Sequence, residues 1–129
     1  MSDNAIYSIL SDSNHNIWIG SYFGGVDMIK NSSPFSWEGP SYNPNKLQGR
    51  LCGKSLKEIL IELWIATEDG GLNIYNPMRG TFSPFNSIPQ LGSNVHCLLH
   101  DKSADIIWIG TFRNGLFRYN LNLRKCQTV

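Results

Sequence analysis

Residues 49–55, GRLCGKS, hold the ingredients of a phosphate cradle, in which the backbone amides of a glycine-rich turn and a lysine ammonium hold a nucleotide's phosphates ahead of a helix. The spacing does not fit. Three residues separate Gly49 from Gly53 where such a loop needs about four, Gln48 precedes it, and neither a parallel strand nor a second acidic metal ligand accompanies it. Nucleotide binding is not expected. His96 and His100 are four positions apart, which on a helix would bring two imidazoles to one metal ion. The repeats described below place them on a strand, where that spacing spans about 13 Å. Serines, histidines and aspartates occur without a nucleophile-elbow string, so no catalytic triad is argued. Cys52, Cys97 and Cys126 are odd in number, widely spaced and without a C-x-x-C pair, and read as free thiols. The sequence therefore calls for no catalytic residue, no metal and no cofactor.

The bulk properties narrow the classes further. A chain of 129 residues with 41% hydrophobic and 16% charged side chains is sized for one globular domain. Its net charge of +1 is spread along the chain, which argues against a nucleic-acid partner and against direct membrane contact. The start, MSDNAIYSIL, lacks the basic and apolar regions of a signal peptide. Nowhere do about 18 apolar residues run together. As written, the chain is expected to be soluble and to carry no address.

The architecture follows from internal repetition. IWIGSYFGG (17–25), LWIATEDGG (63–71) and IWIGTFRNG (107–115) centre on Trp18, Trp64 and Trp108, which are 46 and then 44 residues apart. That is the length of one four-stranded β-propeller blade. After each Trp come Ile19, Ile65 or Ile109, then the tiny Gly20, Ala66 or Gly110, then the hydroxyl Ser21, Thr67 or Thr111. Gly25, Gly71 and Gly115 stand at the seventh position. In a strand, the Trp and the tiny residue share one face and the Ile and the hydroxyl share the other, so both faces are built to be covered by neighbouring sheets. The glycines suit a tight hairpin that needs positive φ.

AIYSILSD (5–12) aligns with NVHCLLHD (94–101) as the innermost strand of the first and third blades. LNIYNPMRGTFSPF (72–85) reads as a strand to Asn76, a Pro-x-x-Gly turn and a fourth strand near 81–85, and LFRYNLNLRKCQTV repeats that order. The middle repeat departs from its siblings. CGKSLKEILIEL (52–63) lacks the Asp and the turn residues, and Leu56, Ile59, Leu60 and Leu63 fall at helical spacing, so a degraded inner strand competes with a short helix. The strand is favoured because the flanking repeats fix where the chain must be. Residues 31–50 are a Pro-, Ser- and Asn-rich excursion. The expected fold is all-β, a partial β-propeller of about three four-stranded antiparallel blades at about 4–40, 47–86 and 91–129, forming one domain.

W-I-G/A-S/T, a later Gly followed by an apolar residue, and an upstream I-x-S-I-x-x-D together resemble the two-component regulator propeller repeat. The resemblance covers most of residues 4–126 and is weakest at 45–62. It implies a seven-bladed periplasmic sensor region, usually in tandem, ahead of a transmembrane helix and a cytoplasmic histidine kinase, with carbohydrate-derived cues. None of that further machinery is in these 129 residues, and SDNAIYSI resembles the interior of a family repeat that begins with Leu where this chain has Met1. The expectation is thus a fragment, or a small relative, of a periplasmic sensor, without enzymatic activity of its own.

Among the fixed repeat positions, the pairs at the hairpin tips vary: Tyr22 and Phe23, Glu68 and Asp69, Phe112 and Arg113. Loops held by a rigid scaffold are where recognition concentrates, and aromatics beside charged groups suit a sugar ligand, although turn tips are also simply solvated. Two alternatives stand beside the sensor reading: a propeller lyase of the streptogramin-inactivating kind, and a structural protein-interaction module. Three blades also leave two sheet faces without a neighbour. A homodimer closing a six-bladed ring, or the remainder of a parent sensor, would cover them.

Overall fold

The computed structural model describes residues 5–22, 25–31, 37–38 and 55–129, so Phe23, Cys52, most of the 31–50 excursion and nearly all of the GRLCGKS stretch lie outside the described residues. Among the described residues, the alternating sequence produces twelve strands. The first sheet holds β1 (Ile6–Ser11), β2 (Ile17–Ser21), β3 (Gly25–Ile29) and β4 (Trp37–Glu38). The second holds β5 (Ser55–Ile59), β6 (Glu62–Ala66), β7 (Leu72–Asn76) and β8 (Thr81–Pro84), and the third β9 (Val95–Asp101), β10 (Ile106–Thr111), β11 (Leu116–Asn120) and β12 (Lys125–Thr128). Each is a four-stranded antiparallel meander, and β5 touches both β1 and β9, so the first strands of the three sheets face one another. These are three blades of a partial β-propeller with β1, β5 and β9 innermost.

Register explains how the blades stack. Leu10, Trp18 and Met28 lie side by side across the first sheet, and Lys57, Trp64 and Ile74 do the same across the second. The opposite face of the second sheet presents Leu63 and Ile65, and that of the third presents Ile107 and Ile109. Trp18 and Trp64 therefore each enter the Ile face of the following blade. The same contact is made twice: Trp18 meets Tyr75 edge-on with centroids 5.4 Å apart, and Trp64 meets Tyr119 at 6.3 Å, where Tyr75 and Tyr119 are the partners of Leu63 and Ile107. Burying these aromatic and branched side chains between sheets, at about 25 cal/mol per Å² of apolar surface, is the main force joining blade to blade.

The three tryptophans are not equivalent, as the repeat alone would have them. Trp18 and Trp64 are 6% and 4% exposed, whereas Trp108 is only half-buried. The row Leu99, Trp108 and Arg118 faces away from the second blade, and no further sheet packs on it among the described residues.

The middle repeat takes the strand, not the helix. Ile59 pairs with Glu62 across a two-residue turn at Leu60 and Ile61, with Leu60 at φ 60°. Positive φ is uncommon for a bulky side chain and costs about 1 kcal/mol or more. In the first blade the corresponding turn is longer, and Asp12 organises it by accepting hydrogen bonds from the amides of Asn14 and Asn16 and from the Trp18 indole at 2.9 Å. Asp101 accepts from the Ser103 amide and hydroxyl in the third. The second blade has no such carboxylate, and Trp64 Nε1 is buried without a partner.

Candidate functional site

The fixed positions of the repeat build three braced hairpins. Thr67 donates its hydroxyl to the Gly71 carbonyl at 2.8 Å and accepts from the Gly70 amide, and Thr111 does the same with the Gly115 carbonyl and the Asn114 amide. Ser21 makes the longer equivalent to Gly25 at 3.5 Å. Gly25, Gly71 and Gly115 have φ of 81°, 68° and 81°, a region that side chains resist, so the hydroxyl and the glycine together close each tip. The residues between them are freed from scaffold duty.

Those tips carry the variable pairs. Tyr22 is half-buried and packs edge-on against Tyr7 with centroids 5.5 Å apart. Phe112 is exposed, stacks on His96 at 5.5 Å and 20°, and lies under the Arg113 guanidinium at 5.7 Å. Glu68 is half-buried and Asp69 exposed. Tyr7 is not singled out in the sequence and His96 is weighed there only as a metal ligand, yet the two occupy one repeat position. Each sits where the ladder of the innermost strand slips, between the partners of Ser21 and Gly20 in the first blade and of Thr111 and Gly110 in the third. Such an irregularity re-aims a side chain. The alignment of AIYSILSD with NVHCLLHD already put two rings at the same offset, which is the signal that could have found them.

The neighbouring backbone holds this end together. Val95 donates to the Thr67 carbonyl and Gly71 to the Ser93 carbonyl, tying the second tip to the entry of β9. Asn114 reaches the carbonyls of Gln90 and Leu91 across the short 3-10 turn Pro89–Leu91. A shallow hollow of about 360 Å³ opens between Ser93, Asn94, Phe112 and Arg113, and the Asn94 side-chain oxygen is buried there without a partner. A rim with the exposed Phe112 face and the Arg113 guanidinium can hold a ligand by stacking and hydrogen bonding. It offers no nucleophile paired with a base.

The histidines separate as their strand requires. His96 stacks at the tip end, while His100 pairs with Ile107 and has both ring nitrogens buried without a partner. Cys97 is exposed and Cys126 half-buried, where burial raises its thiol above the ordinary range.

Residues 1–23 match the two-component regulator propeller family model. The resemblance carried by the repeat strings thus holds at the first repeat. The whole chain is similar in fold to solved extracellular domains. One, from a protein described as a hybrid two-component system, BT4673 of B. thetaiotaomicron, superposes with a TM-score of 0.75 at 22% identity over 97% of this chain and 15% of that one. PorZ, a surface component of the type-IX secretion system of Porphyromonas gingivalis, gives 0.69 at 22% identity over 89% and 17%. The extracellular domain of BT3049, also described as a hybrid two-component system of B. thetaiotaomicron, gives 0.55 at 28% identity over 100% and 17%. This chain therefore spans about one sixth of the solved chains it resembles. No curated protein matches it. No helix among the described residues is long and apolar enough to cross a membrane.

Proposed function

We propose that this chain is a non-enzymatic, sensor-type propeller segment that recognises a ligand at its hairpin tips, as part of an extracellular or periplasmic signalling protein. The observation that carries this reading is the division of labour within each repeat: Ser21, Thr67 and Thr111 close the tips, while the residues carried on them differ in chemistry from blade to blade. Rigid support beneath varied side chains is what a recognition surface needs. The regulator propeller match and the extracellular domains of similar fold support the sensor class. The edge-on pair of Tyr7 with Tyr22 and the stacked pair of His96 with Phe112, flanked by Arg113, suit the flat apolar faces and hydroxyls of a carbohydrate.

Titration of the isotope-labelled chain with oligosaccharides from starch, xylan and mucin glycans, followed by NMR, tests the reading. Saturable shifts at Tyr7, Tyr22, His96, Phe112 and Arg113 are expected from at least one of them. Shifts confined to other regions, or none at the tips with any glycan, would overturn it.

A further inference from the structure

At the other end of the strands, a cleft of about 430 Å³ opens between the first and second blades. Its origin is the shortened β5–β6 turn. In the first blade residues 12–16 fill that corner of the sheet, but the second blade turns back after Leu60 and Ile61, leaving space beside the first blade's turn. The cleft has the volume of a small-ligand site.

Its walls combine two chemistries. Trp18, Met28 and Tyr75 give it an apolar and aromatic lining, and Ile61 and Met78 extend this to the mouth, where they are 60% and 81% exposed. Three carboxylates, Asp12, Glu58 and Glu62, also line it, against the one ammonium of Lys30. Hydrogen bonds from Trp18, Asn16 and Asn14 outweigh the partial burial of Asp12 and hold its carboxyl below the usual carboxylate range, so it stays ionised. Glu58 is fixed across the blade boundary by the amide and hydroxyl of Ser13, at 2.7 and 2.6 Å. The chain as a whole carries +1, so the negative excess is local to this cleft. Negative charge set on apolar walls focuses the field, and aromatic faces attract cations in their own right.

We infer that this cleft binds an organic ammonium ion carrying a short apolar body. The apolar part would sit on Met28, Ile61 and Met78, and the cation among Glu58, Glu62 and the Trp18 and Tyr75 rings. An anion of the same shape is repelled, and a neutral analogue gives up the electrostatic part. The site lies at the opposite end of β2 from the tips and does not depend on the recognition proposed there.

Binding of n-hexylammonium to the full chain, followed by the Trp18 indole resonance and the Met28 and Met78 methyl resonances, tests the inference, with 1-hexanol and hexanoate as controls. The ammonium should give saturable shifts at these groups and bind more tightly than either control. Glu62→Gln, a change at a half-buried side chain, should weaken the ammonium about threefold and leave 1-hexanol unchanged. Equal binding of all three probes, saturable shifts located elsewhere, or indifference of the ammonium to Glu62→Gln would overturn it.

Discussion

Asp12 accepts the indole N–H of Trp18 at 2.9 Å, so a turn residue of the first blade fixes the ring that enters the second. Removing the carboxylate would strand the indole N–H and the turn amides together. Asp12→Ala is expected to lower unfolding free energy by about 1–3 kcal/mol, measured by urea denaturation.

The same carboxylate gives a pH dependence of defined sign. Its folded pKa is depressed below the ordinary aspartate value of 3.8 by hydrogen bonds that prevail over partial burial. The unfolded state therefore binds its proton more readily, and the stabilisation is complete above that value and fades as pH falls through the folded pKa. Urea midpoints of the parent chain and of Asp12→Asn should draw together progressively as pH falls below about 3.8. A gap that stays constant throughout the acid range contradicts this assignment.

Trp64 shows what the missing carboxylate costs. Its Nε1 has no partner, so Trp64→Phe forfeits packing but no hydrogen bond, whereas Trp18→Phe forfeits both. The first blade's variant should be the less stable by about 1 kcal/mol, read from paired denaturation curves.

Packing, more than repeat position, sets the effect of truncating each Trp. Trp64→Ala empties a site enclosed by Phe85 and Tyr119 and should cost about 3–5 kcal/mol. Trp108→Ala removes a half-buried ring and should cost less than half as much, with thermal and urea melts as the measure.

Two glycines with similar φ should differ. A Cβ on Gly71 would come within 2.9 Å of the Gly92 carbonyl oxygen, while one on Gly115 meets nothing within 4 Å. Both substitutions by Ala strain the backbone, but Gly71→Ala should destabilise by about 1 kcal/mol more, because it alone adds overpacking.

Much of this fold was legible because the repeat writes the same physics three times. The Trp spacing marks the blades, and the hydroxyl and glycine positions mark the tips. The middle repeat was harder. Leu56, Ile59, Leu60 and Leu63 have helical spacing, but a helix would gather them on one side. In the structure Ile59 packs toward the third blade, Leu63 toward the first, and Leu60 projects from the turn, 83% exposed. Two flanking sheets demanded apolar groups on opposite faces, and tertiary packing overrode local periodicity. Three blades imply two uncovered end faces, but that the Trp face of the third blade is one of them depends on the direction in which the Trp rows point, which the repeats alone do not state. The shared place of Tyr7 and His96 at the tips escaped notice because strict alternation hides a ladder slip, and Phe23 lies outside the described residues.

The two faces of every sheet are unlike, one led by Trp and one by Ile, and they meet in a fixed order. A ring assembled this way has a direction of reading, like a column of arrows. Tandem duplication of a stretch of about 45 residues hands the new copy a compatible mate on each side at once, with no compensating substitution required. Inverting a copy would set Trp against Trp, and the column would break there. Growth in such a lineage is therefore free in number and constrained in polarity, and the tips of added copies are at liberty to diverge while their faces are not.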